Sequence, residues 1–122
     1  MIVTIDGNKK INVIQKEFNN LFPYLKIEFL LYKQIGSIVK KWTTGGDDTL
    51  ADYRDANEKV NFIITPSMSV AELEKKFNEI FGVKIQILRK SGKAWLETTI
   101  TDKWTLEEQN RQGEELSKIS GA

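Results

Sequence analysis

Histidine and cysteine are both absent from the 122 residues, and each absence removes chemistry. Without cysteine there is no disulfide, no thiolate nucleophile and no zinc-thiolate site. Without histidine the commonest general base is gone, together with every Ser-His or Cys-His pair and the commonest transition-metal ligand. Any catalysis would have to run on Asp, Glu, Lys, Tyr, Ser or Thr, so an enzyme is not expected and no cofactor is implied. Long apolar runs are missing too, and nothing approaches the roughly 18 residues of a membrane span. Residues 1–6 lack a basic n-region and a long apolar h-region, so they read as a strand rather than a signal peptide. That fits a cytoplasmic home. Charge of one sign is also in short supply. Eighteen Lys and Arg balance 17 Asp and Glu, a net charge of +1 that gives no bulk pull toward nucleic acid or anionic lipid.

What remains is an ordinary globular composition, 40% hydrophobic and 29% charged. The length suits one domain over residues 1–122, large enough to bury a core without staples. Within it two stretches resemble each other. Phe18-Asn19-Asn20-Leu21-Phe22 answers to Phe77-Asn78-Glu79-Ile80-Phe81, with Ile14 and Lys16 matching Leu73 and Lys75. After one dropped residue, Leu25 to Leu30 matches Val83 to Leu88. Thr49-Leu50 then matches Thr105-Leu106. The expectation is an internal repeat, residues 1–58 and 59–122. The alternative is that both halves merely share a helix-to-strand grammar.

Each half reads as βαββα. A short β run opens it, at Ile2–Ile5 and Val60–Ile64. A helix follows. Ile11, Ile14, Phe18, Leu21 and Phe22 form one apolar stripe, and Val70, Leu73, Phe77, Ile80 and Phe81 form the other. Ser69 and Glu72 make a capping box for the second helix. Pro23 and Gly82 stop the two helices. Alternating strands come next, with Leu25, Ile27, Phe29 and Leu31 on one face, and Val83, Ile85 and Ile87 likewise. Hairpin turns lead to further strands near Ile38–Thr44 and Ala94–Thr101. Thr105 and Glu108 cap a closing helix, with Thr49 to Asp52 as a weaker counterpart. The fold class is therefore α+β: two tandem βαββα units forming a mostly antiparallel sheet with helices packed on it.

Four features are candidates for function. Asp47, Asp48, Asp52 and Asp55 follow Gly45-Gly46. Hard cations want several oxygen ligands, but acids also suit the first turn of a helix, and the latter reading is preferred. No phosphate loop or dinucleotide fingerprint is present. Lys33, Lys40, Lys41, Arg89, Lys90 and Lys93 flank the hairpins near Trp42 and Trp95, a pattern that serves single-stranded nucleic acid. Lysines also block edge pairing, and nucleic acid is not expected as a partner. Asp102, Gln109 and Asn110 could line a polar pocket or fix the seat of the closing helix, with Gly113 allowing close approach. Tyr24, Leu30 and Tyr32 lie with Lys26 and Glu28 on the second face of their strand. They could meet water, the closing helices or a partner. Basic hairpins and acidic closing helices polarise the chain and suggest self-association as a homodimer.

The stretches Phe18 to Phe29 and Trp95 to Asn110 together resemble a family of conserved hypothetical proteins from Bacteroidetes-type bacteria. The likeness spans most of the chain. It implies a bacterial, cytoplasmic protein and carries no activity, ligand or site residue with it. Three functions follow as expectations. A non-catalytic protein-interaction or assembly module leads. A small-ligand or divalent-metal-binding domain, using the Asp47–Asp55 or Gln109–Asn110 region, comes second. Single-stranded nucleic-acid binding through the hairpins is third.

Overall fold

The computed structural model describes residues 3–35, 37–43, 48–50 and 61–119, with side chains at 3–30, 48–50 and 61–118. Its elements run in the order β1 (Val3–Ile5), α1 (Ile11–Leu21), β2 (Leu25–Ile35), β3 (Ser37–Thr43), β4 (Phe62–Ile64), α2 (Val70–Phe81), β5 (Lys84–Ser91), β6 (Ala94–Glu97) and α3 (Leu106–Ile119). The chain is α+β, with antiparallel strands and helices packed on them. The first half's expected closing helix, and Asp52 and Asp55 with it, lie outside the described residues.

The strands divide between two sheets rather than joining one. A four-stranded antiparallel sheet has the order β3-β2-β5-β6, and among the described residues β1 and β4 pair only with each other. The opening strands are three residues long. Each turns two of those residues into the core, so they serve as a second apolar layer.

The helices form where the apolar spacing places them. In α1 the stripe buries Ile11, Ile14 and Phe18, and in α2 it buries Val70, Leu73, Phe77 and Phe81. Phe18, Phe22, Phe77 and Phe81 are all buried, as their spacing predicts. Phe77 sits at the centre, edge-on to both Phe29 (5.4 Å between ring centroids) and Phe62 (5.1 Å). Edge-to-face rings of this kind add to the burial of each aromatic side chain. Helix α2 stops at Gly82, whose φ of 64° is left-handed and whose N–H bonds back to the Asn78 and Phe77 carbonyls.

The registers relate the halves in pairs. Glu28 faces Gln86 at the centre of the β2–β5 ladder. These two residues match in the alignment of the halves. Carrying the Phe18–Phe77 spacing back to the opening strands matches Thr4 with Ile63, and these two face each other in β1–β4. Two isolated bridges are equivalent as well, Lys10 to Thr49 and Ser69 to Thr105. Leu50 and Leu106, one residue after each bridge, are fully buried in a core that draws on both halves.

Strand β6 is shorter than its sequence suggests, ending at Glu97 rather than near Thr101. The Thr98 hydroxyl donates to the Ile87 carbonyl (2.8 Å), taking the ladder's next acceptor, and residues 99–104 turn away.

Candidate functional site

The polar residues of the last third converge on the seat of α3. Gln109 is fully buried. Its carbonyl oxygen accepts from Arg89 Nη1 (2.8 Å), and its amide donates to the Thr101 carbonyl (2.7 Å) and hydroxyl (2.9 Å). Asn110 Oδ1 accepts from the Tyr24 N–H (2.8 Å), and Ser117 Oγ accepts from the Gly92 N–H (3.3 Å). Arg89 also lies over the Trp104 ring, 5.6 Å from its centroid. A Cβ on Gly113 would stand 2.8 Å from Tyr24 Cβ, so the helix approaches β2 at a distance only glycine permits. A buried amide whose oxygen and nitrogen both have partners fixes geometry and leaves no free group for a ligand.

The same contacts pin the segment 98–105 between β6 and α3. The Asp102 and Trp104 carbonyls accept from the Ala71 and Val70 N–H groups at 2.8 and 3.3 Å. The Leu106 and Glu107 N–H groups, donors at the start of α3, bond to the Met68 and Pro66 carbonyls at 2.8 and 3.0 Å. From this anchored segment Ile100 projects with 99% of its surface exposed, flanked in sequence by the partly exposed Leu96 and Trp104.

Beside this segment two adjoining clefts of about 300 and 340 Å³ run along β5 and share Glu74, Lys84 and Ile85. Thr98 and Thr99 close one end, and Asn78 and Lys75 line the other. The floor is a strand edge. Strand β5 pairs with β2 over Lys84–Arg89 but with β6 only over Leu88–Ser91. The Lys90 N–H donates to the Tyr24 carbonyl (2.9 Å), so even-numbered β5 residues bond toward β2. By the alternation of an antiparallel ladder, Ile85 directs its N–H and C=O to the opposite side, into the cleft. The Thr98-to-Ile87 bond lies on that side too.

The first half contains the same edge, closed. Gln15 Nε2 donates to the Ile27 carbonyl (3.0 Å), and Asn19 Nδ2 donates to the Leu25 carbonyl (2.9 Å). The matching residues in the second half are Glu74 and Asn78, beside Ile85 and Val83. A carboxylate cannot donate. Among the described residues, Glu74 makes no hydrogen bond and no ion pair, and the exposed Asn78 side chain makes none either. Partial burial raises the Glu74 pKa above the ordinary glutamate value. The nearby Asp102 carboxylate adds to that rise, and Lys84 works against it.

The residues singled out in sequence are thus dispersed. Asp102, Gln109 and Asn110 line neither cleft. Asp102 acts on the groove only through its charge on Glu74, while the two amides hold α3. Asp48 is half-buried and its carbonyl accepts from the Ile11 N–H (2.8 Å), whereas Asp47 lies outside the described residues. No group of three acidic residues placed to hold a metal ion occurs among the described residues. Tyr24 lies under α3 at Gly113 and Leu30 is buried, which leaves little of either for a second chain; the Tyr32 side chain is outside the described set. Arg89 faces Gln109 rather than a hairpin surface. Glu74 was not among the sequence candidates, though its signal was there: the position that is an amide in one half is an acid in the other.

No protein-family model, curated protein or solved structure matches the chain. No helix among the described residues is long and apolar enough to cross a membrane.

Proposed function

We infer that the chain is a duplicated βαββα domain acting as a non-catalytic protein-interaction module in the bacterial cytoplasm. The observation that carries the reading is Ile100. An isoleucine left wholly in water on a segment held by hydrogen bonds to Gln109, Val70 and Ala71 is a preorganised apolar contact. Binding residues concentrate on loops that a rigid scaffold positions, and rigidity lowers the entropic cost of docking. The paired registers of the two halves support the duplication, and the quoted residue likeness supports the bacterial origin.

The test is site-specific photo-crosslinking in cells. A benzophenone amino acid at position 100 is expected to give a discrete protein adduct, and the same group at Val13, exposed elsewhere on α1, is not. Adducts from both positions alike, or from neither, defeat the reading. A small-ligand module is the second reading, favoured by the clefts, whose volume reaches the lower end of ligand sites. It requires thermal stabilisation by a small molecule, lost on Glu74→Ala.

A further inference from the structure

We propose that the open edge of β5 at Ile85 is a strand-addition site for an extended segment of a partner protein carrying a lysine or arginine that pairs with Glu74. The proposal deepens the interaction reading above and rests on it for the class of partner.

Three observations converge on this edge. The first is the ladder. Beyond Leu88 the side of β5 away from β2 has no strand beside it among the described residues, so there the Ile85 N–H and C=O face a cleft. Main-chain groups at such an edge are a template for an incoming strand. The second is the internal comparison. The equivalent edge of β2 is sealed by the Gln15 and Asn19 side chains, which bond to the Ile27 and Leu25 carbonyls. The fold can therefore close this edge with two side-chain amides and in the second half does not. Glu74 in place of Gln15 removes the donor and adds a negative charge. The third is charge. Glu74 carries no ion pair among the described residues, Glu97 lines the same cleft, and Asp102 lies close enough to disturb Glu74. Lys84 is the opposing cation there, and Lys75 lines the far end.

An arriving strand pairs its backbone with Ile85, and its basic side chain meets a carboxylate already partly stripped of water. Charge-assisted hydrogen bonds of this type are stronger than neutral ones. Thr98 marks one end of the open edge, because its hydroxyl already occupies the Ile87 carbonyl. The added strand is thus short, and specificity comes from the basic residue more than from length.

The test uses the full chain, isotope-labelled for NMR, and two synthetic eight-residue peptides of alternating Val-Lys and Val-Glu. The Val-Lys peptide is expected to shift the Ile85 and Ile87 amides and slow exchange at Ile85. The Val-Glu peptide leaves them unmoved. Glu74→Gln restores the donor that Gln15 supplies in the first half. It should close the edge, keep the fold and weaken Val-Lys binding at least tenfold. Equal binding of both peptides, unchanged binding by Glu74→Gln, or shifts remote from β5 each overturn the proposal. So does a doubling of mass by light scattering with protection at Ile85 in the absence of peptide, because a second copy of the chain would then fill the edge. A position-100 adduct without any peptide effect at Ile85 sinks this proposal and leaves the broader reading intact. Loss of both sinks both.

Discussion

Glu74 and Gln15 match when the halves are aligned on Phe77 and Phe18, and they treat the neighbouring strand differently: Gln15 donates to the Ile27 carbonyl, whereas Glu74 has no hydrogen bond among the described residues. The difference has a pH signature. Burial raises the Glu74 pKa, Asp102 raises it further, and Lys84 opposes them, so the folded state holds the Glu74 proton more tightly than the unfolded chain does. Stability is then lost as pH rises through the window between the ordinary glutamate value and the raised one. Glu74→Gln has no such proton. Its stability advantage over the native chain should be present at neutral pH and shrink as the pH falls below that window. An advantage that is flat from pH 7 to pH 4 in urea titrations would rule out this account. Gly113 decides a second contest between effects. Alanine is the better helix former by about 1 kcal/mol. A Cβ there meets Tyr24 Cβ at 2.8 Å, and overpacking typically costs about 1–3 kcal/mol. Gly113→Ala should therefore be destabilising on balance, and a net gain in denaturant midpoint would show that α3 can shift away. Phe77, touching Phe29, Phe62 and Phe81 from full burial, should lose about 3–5 kcal/mol on Phe77→Ala. A loss well under 1 kcal/mol would place that ring outside the shared core.

At the scale of elements, the helix starts are half of what their sequences promise. Ser69 Oγ accepts from the Glu72 N–H and Thr105 Oγ1 accepts from the Glu108 N–H, each at 3.1 Å. The reciprocal arm is absent at Thr105, where the Glu108 carboxylate turns to Arg111 at 2.7 and 3.1 Å. Thr105→Ala should cost about 1 kcal/mol. Glu108→Gln, which alters an exposed ion pair with Arg111 and a bond from Gln112, should have the smaller effect. Equal losses in thermal unfolding would restore the full capping box. The same contrast explains what was legible. Helices α1 and α2 could be read because a 3.6-residue stripe and a following Pro23 or Gly82 are local signals. The end of β6 could not, because one hydroxyl, Thr98 to Ile87, decides it across the hairpin. The separation of β1–β4 from the main sheet could not, because the pairing of three-residue strands about 60 residues apart leaves no local trace. The Gln109–Asn110 stretch stood out as polar residues on an inward face, but only the fold shows that Arg89, Thr101 and Tyr24 occupy them. The groove was least legible of all, since an edge exists only once strand order and strand ends are known.

Among the described residues, the two halves share one interior. Val3, Ile5, Phe18 and Phe29 of the first half and Phe62, Ile64, Phe77 and Phe81 of the second belong to one contiguous core. Phe29 of β2 packs on Phe77 of α2. Both central ladders, β1–β4 and β2–β5, join one half to the other. Neither half can lose its packing without exposing the apolar face of its counterpart, and burial of apolar surface is the main favourable term in folding. The domain should therefore unfold in a single step, although its two halves match in sequence. Small single domains of this size commonly do so, but a chain of two independent repeats would not. Calorimetry is expected to give one endotherm with a calorimetric-to-van't Hoff enthalpy ratio near one. Phe18→Ala should lower hydrogen-exchange protection of β5 and α2 along with that of its own half. Two endotherms, or protection lost in the first half alone, would mean that the ladders between the halves couple them only weakly.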